Sequence, residues 1–411
     1  MPEFINAHAQ RVSRWSVIAL GASIPVSTAL DNVLIAIVLV AWMLSARVCE
    51  TIKFSLKNKW LLFPLLLFVL LAAGTLVGDS PWREALAYLA KYMDLLFIPV
   101  FAMAFCERET RFKALNAFAI TIAIIVVLSY LIRFSALPAM PFLTGDAASP
   151  TVFKLKITHS ILVAFGTFLF VWLAGATASP RLRILWITFA LLAAIDVLLL
   201  VQGATGYLTL GALLVLLGWE RTGWRGIAYG TIALAALAVA LLAVPNPFQQ
   251  RILIIQQEIQ QWRSGSAVTL NTSTGQRLGF YKNTLDIIAA HPVTGVGTGG
   301  FARAYARQVS GGESPATRNP HNEFLNITAQ IGIAGLLVLV LMFGAQWLSA
   351  KKLDSPMEQV LTRGLVLTLV AGCMVNSLLL DHAEGLFYAW LSGLLYGGLK
   401  YAPPDKIATS T

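Results

Sequence analysis

The sequence predicts an all-α polytopic integral membrane protein with about twelve transmembrane helices and one large loop between the ninth and tenth. Three observations predict it. Hydrophobic residues make up 57% of the 411 positions and charged residues only 12%, far less charge than a soluble surface of this size carries. The apolar runs repeatedly approach the roughly 20 residues that cross a hydrocarbon core as a helix. They lack the period-two alternation of barrel strands, and helices and closed barrels are the spanning structures that satisfy their own backbone in lipid.

The apolar segments fall at about 15–30, 32–48, 60–78, 94–106, 114–134, 157–177, 183–201, 204–219, 224–244, 323–348, 359–380 and 385–400. The first follows a short basic N-terminus and lacks a small-residue cleavage site, so it reads as a retained helix, not a removed signal. The fourth is short, and "PWREALAYLAKYMD" before it mixes aromatic, basic and apolar residues in the manner of an interfacial stretch. The loops set the orientation. One side receives Arg11, Arg14, Arg47, Lys53, Lys57, Lys59, Arg108, Arg111 and Lys113. It also receives Arg181, Arg183, Arg221, Arg225, Lys351, Lys352, Arg363, Lys400 and Lys406. Such a bias marks the cytoplasm and puts both termini there.

The chain then divides into helices 1–9 (1–244), a periplasmic loop region with short helices (245–322), and helices 10–12 with a cytoplasmic tail (323–411). Within the loop, "QRILIIQQEIQQW" reads as helical. A second helix is expected over 277–290, stopped at His291-Pro292 and followed by a glycine-rich turn.

The net charge of +10 follows from these loops and is no argument for nucleic-acid binding. Cys49, Cys106 and Cys373 have neither disulfide-framework nor metal spacing. The chain also lacks HExxH, DxD and an outer carboxylate cluster, so chemistry without a bound metal or cofactor is expected, with Arg and Lys supplying charge compensation. "GVGTGG" lacks the Lys-Ser/Thr ending and strand context of a phosphate loop; its glycines allow tight turns and close backbone approach.

Against the positive-inside trend, Lys154, Lys156, Arg277, Lys282, Arg303, Arg307 and Arg318 fall on the outer side, with His159, His291, His321 and His382 there or just inside its rim. An anionic ligand is the simplest reason. Each also has a plainer reading. His321 in "NPHNEF" could belong to an ordinary turn capped by Asn319 or Asn322. Lys154 and Lys156 could be snorkelling anchors. Asp381, His382 and Glu384 could only cap helices. His159 could bond a neighbouring helix, and Asp196, an intramembrane carboxylate, could pair with a basic group.

Two stretches carry a family resemblance: "TGQRLGFYKNTLDIIAAHPVTGVGTGGF" and, about 20 residues on, "RNPHNEFLNITAQIGIAGLL". This pairing resembles the O-antigen ligase and polymerase superfamily, which combines an arginine-bearing helix and an HP-x-x-G-x-G turn with an H-N-x-[FY]-L motif. "KITHSILVAF" and "SLLLDHAEG" look more like its O-antigen ligase branch (WaaL-type). The resemblance implies transfer of O-antigen polysaccharide from undecaprenyl pyrophosphate to lipid A–core oligosaccharide, at the periplasmic face of the inner membrane, without nucleotide. In that reading His321 is the general base and Arg277 binds the pyrophosphate. Lys154, Lys156, His159, Arg318, Asn322, Asp381 and His382 are substrate-binding candidates among membrane lipids. The chain departs from the pattern at Ala204, where the ligase branch usually has arginine, so that loop receives no phosphate role. A polymerase using the same donor and a lipid-linked oligosaccharide flippase are the alternatives. A flippase is disfavoured because the ionisable groups gather on one face and not along a central path.

Overall fold

The computed structural model describes residues 3–45, 47–136, 142–201, 203–264, 272–311 and 314–399. The tail from 400 onward, and Ser266 in the large loop, lie outside them. Among the described residues the chain is helical and holds no strand.

Helices α1 (Glu3–Ser23) and α2 (Thr28–Leu44) form the first hairpin, followed by the short α3 (Val48–Lys57) and α4 (Leu62–Gly74). Next come α5 (Trp82–Ala90), α6 (Asp94–Ala104), α7 (Arg108–Arg133), α8 (Lys156–Ala176) and α9 (Pro180–Ile195), the last ending in a π-helical turn over Asp196–Leu200. Helices α10 (Ala204–Thr222) and α11 (Trp224–Leu242) pair before the three helices of the large loop: α12 (Pro247–Arg263), α13 (Ser273–Ala290) and α14 (Phe301–Gln308). The chain closes with α15 (Glu323–Ser349), α16 (Pro356–Cys373) and α17 (His382–Tyr396). Each of the twelve apolar segments thus lies largely, though not wholly, in helix. Among the described residues six helical stretches are long and apolar enough to cross a membrane, and the expected interfacial stretch joins α6 in one of them, Trp82–Ala104.

Burial follows the rule of a lipid-immersed bundle. The centre is aromatic, with Phe118 in ring contact with Phe165, Phe387 and Trp390, and Phe165 with Phe387. Large apolar side chains also face outward, as at Ile184, Leu191, Ile232, Val239, Leu337 and Val340. Water would penalise that surface, whereas hydrocarbon does not. Helix α11 approaches α10 through Gly218 and Gly226, where a Cβ on either glycine would strike the backbone of the other. Small residues permit such close helix contact in lipid.

The glycine-rich turn after α13 is a structural joint. Helix α15 breaks at Ile331 and at Gly332, whose φ is 68°. The break removes the helical partners of the Ala329 and Gln330 carbonyls, and the turn replaces them. Val296 N–H donates to Ala329 O (2.8 Å) and Gly297 N–H to Gln330 O (2.9 Å). Gly299 N–H bonds Gln330 Oε1 (2.7 Å), and Ile333 N–H returns to Pro292 O (2.9 Å). Thr298 N–H completes the joint on the last carbonyl of α4, that of Gly74, at 2.9 Å. Buried backbone polar groups require such partners. Side chains are excluded sterically: a Cβ at Gly297, which has φ 83°, would meet the Val77 carbonyl.

Candidate active site

The turn before α15 is held through several of its backbone and side-chain polar groups. Asn319 Oδ1 accepts from His321 N–H (2.8 Å) and from Ser377 Oγ (2.7 Å). Tyr281 OH donates to the His321 carbonyl (3.1 Å). Asn322, not Asn319, caps α15 by accepting from Leu325 N–H (3.0 Å), and its amide donates to Met374 O (2.9 Å). His321 itself has φ 55°, a left-handed conformation costing a side-chain-bearing residue about 1–2 kcal/mol. Non-glycine residues held there concentrate at functional sites. The ring stacks on Phe280, with centroids 6.0 Å apart and planes 23° from parallel, and its Nδ1 lies 3.4 Å from Asn376 Oδ1.

Helix α13 brings Arg277 to this ring. It starts at an N-cap on Thr272 Oγ1, four residues before the expected start, and Glu258 of α12 accepts from Thr274 N–H at 3.0 Å. Arg277 and Tyr281 are one helical turn apart and therefore share a face. Burial lowers the basicity of Arg277, as does the charge of Arg251, while Tyr281 opposes them. Burial and then the Arg277 charge push the His321 imidazole below its ordinary value, partly offset by Asn376. The ring is therefore biased toward its neutral form.

A second cation comes from α12. Phe248 packs on Tyr207 of α10 with ring centroids 4.9 Å apart, and Arg251 lies one turn after Phe248, within electrostatic reach of Arg277 and Lys156. Lys156, the first residue of α8, runs its methylenes beside Gly203, the residue before α10. Among the described residues no carboxylate forms an ion pair with Lys156, Arg251 or Arg277. Three linked uncompensated cations, with Arg277 beside the imidazole, suit a polyanionic ligand.

The other sequence-nominated residues divide. Lys154 is turned to α2, 2.8 Å from Thr28 Oγ1 and 3.8 Å from the buried Asp31 carboxylate. His382 Nδ1 lies 3.3 Å from Asp94 Oδ2. These two make a separate polar group against α2 and α6. His159 is buried, 3.0 Å from Asp196 Oδ2, with Ser129 on the other carboxylate oxygen. It braces the π-turn below the Gly203 loop and does not line an open site. Arg318, Asp381 and His291 are exposed. The cluster thus unites His321, Arg277 and Asn322, with Lys156 near Arg251.

Four neighbours were missed in the sequence: Arg251, Phe280, Tyr281 and Asn376. Tyr281 carried a signal, being four residues after Arg277 on one helix. Asn376 carried another, as an amide inside "AGCMVNSLLL". Arg251 is the sole charged residue in "PFQQRILIIQQ".

No curated protein matches the chain. A family model described as O-Antigen ligase matches residues 189–340. That span holds the Gly203 loop, Arg251, Arg277, the glycine-rich turn and His321. Over residues 189–340 the chain is therefore similar to the O-antigen ligase family, as the motif stretches led one to expect.

Proposed function

We propose that this protein is a periplasmic-face glycosyltransferase of the inner membrane that moves O-antigen polysaccharide from undecaprenyl pyrophosphate to lipid A–core oligosaccharide. The run of uncompensated cations from Lys156 through Arg251 to Arg277, the last of them beside His321, is the observation that carries this reading. Arg277 grips the diphosphate with its planar fork of donors, and Arg251 and Lys156 add charge on the same leaving group. His321 accepts the proton of an acceptor sugar hydroxyl. That oxygen attacks the anomeric carbon from the face opposite the diphosphate, a new C–O bond forms, and the old one breaks with its electron pair leaving on the diphosphate. The proton ends on the imidazole and the anomeric centre inverts. Positive charge fixed where negative charge develops lowers the barrier. The twelve apolar helices serve as the spans, and α12–α14 face the periplasm, where amphiphilic donor and acceptor present their headgroups.

Reconstitution tests the reading. Purified protein in liposomes, given lipid-linked glycan and lipid A–core in the presence of EDTA and without nucleotide, should form the ligated product. Extension of the glycan on undecaprenyl instead would identify a polymerase. Activity that needs added Mg²⁺ would show that the cations do not suffice.

A further inference from the structure

Asn376 sits on the turn after α16, buried to 3% exposure, where three elements meet. Its carbonyl accepts from Glu323 N–H at the start of α15 (3.1 Å), and its own N–H bonds Gly372 O of α16 (2.9 Å). Its side-chain Nδ2 donates to Thr205 Oγ1 near the start of α10 (3.2 Å). Its Oδ1 is thereby left facing His321 Nδ1 at 3.4 Å.

A neutral imidazole has one N–H and one lone pair, and the partner of one nitrogen decides which is which. An amide oxygen only accepts, so it pairs with an Nδ1–H. We propose that Asn376 is a positioning residue for His321: its amide, whose Nδ2 donates to Thr205 Oγ1, holds the ring as the Nδ1–H tautomer with the Nε2 lone pair free. The inference rests on the general-base reading above. The use of an amide has a reason. Arg277 and Tyr281 face His321 from α13, and Glu323, the next carboxylate along α15, is engaged by Tyr92 OH (2.7 Å) and Leu379 N–H (3.0 Å). A carboxylate at the Asn376 position would favour the imidazolium, which is no base, whereas an amide orients the ring without charging it. Once Nε2 has taken the acceptor proton, Nδ1–H still donates to Oδ1.

The wild-type chain in liposomes gives a direct reading. After labelling with ¹⁵N-histidine, with the His321 signals assigned by their loss in His321→Ala, Nδ1 should be protonated and Nε2 bare at neutral pH. The reverse tautomer overturns the proposal. In the ligation assay, Asn376→Ala should lower kcat on the order of 10- to 100-fold with donor KM little changed, the scale of a misplaced catalytic group. Asn376→Asp should recover rate at high pH with its acid limb moved upward by about one pH unit. An Asn376→Ala variant of normal kcat, or one that loses donor binding while Asn376→Asp leaves the limb unmoved, makes Asn376 a structural residue and ends the proposal. Normal ligation by His321→Ala would instead remove the general-base reading, whatever tautomer the spectrum shows.

Discussion

At the scale of the residue, His321 combines a left-handed backbone, a stacked ring and a depressed basicity. A turn histidine contributes little packing, so His321→Ala should keep donor binding. It should lose about 10²–10⁴-fold of transfer, the range typical of a removed general base. Loss of donor binding would indicate a substrate-positioning role. The pH dependence follows from the direction of the shift. The base works when neutral, that is, above its pKa, and burial with Arg277 moves that pKa below the ordinary 6.5. The acid limb of kcat/KM should therefore lie below pH 6.5, and a limb above it would report another group. Arg277→Lys keeps the charge but loses the bidentate fork, so it should be substantially impaired, and Arg277→Ala more so. Normal donor binding and turnover in both variants would make Arg277 a surface residue.

At the scale of the element, the glycine-rich turn and the broken α15 are one unit. The break at Gly332 exposes two carbonyls, the turn's amides satisfy them, and the close approach requires glycine. Gly297→Ala places a side chain at φ 83° against the Val77 carbonyl, so it should destabilise the protein by about 2 kcal/mol or more. Gly344→Ala, in the same helix α15 but in open space, should instead be neutral or stabilising by roughly 0.5–1 kcal/mol. Thermal unfolding in detergent checks both, and equal midpoints would show that the turn is not the joint described. Because the turn continues from α13 and the broken helix continues from the His321 turn, loosening the unit should lower transfer as well.

At the scale of the whole molecule, three cations without an ion pair among the described residues, Lys156, Arg251 and Arg277, come together from α8, α12 and α13, although Arg303 and Arg307 of the same loop are paired with Glu84 and Asp79. Several cations of the opposite face are paired as well, as in Arg111 with Glu358 (2.8 Å) and Arg47 with Glu50 (2.8 Å). The loop charges predict that this opposite face is cytoplasmic. Tags at Ser266 and Thr411, both outside the described residues, should report opposite sides of the membrane, with Thr411 cytoplasmic. A cytoplasmic Ser266 would place the cation cluster on the wrong side for a periplasmic donor.

Hydrophobic runs, proline and cap residues act locally, so the sequence by itself determined where the apolar helices lie and the stop at His291-Pro292, and it narrowed the cap of α15 to Asn319 or Asn322, of which the structure selects Asn322. The motif stretches likewise suggested that Arg277 and His321 belong to one family pattern, and both lie within the matched span 189–340. Only the tertiary structure decided which polar residues meet. Lys154 and Lys156 are two residues apart, yet one turns to Asp31 of α2 and the other runs beside Gly203. His159 looked like its outer-rim neighbours, but its helix face points at Asp196 in the core. Asn376 stands 55 positions from His321, and Arg251 stands 26 from Arg277. Those meetings depend on how α10, α12, α13 and α16 pack together. Packing is a non-local property of side-chain shape, and local pattern does not encode it.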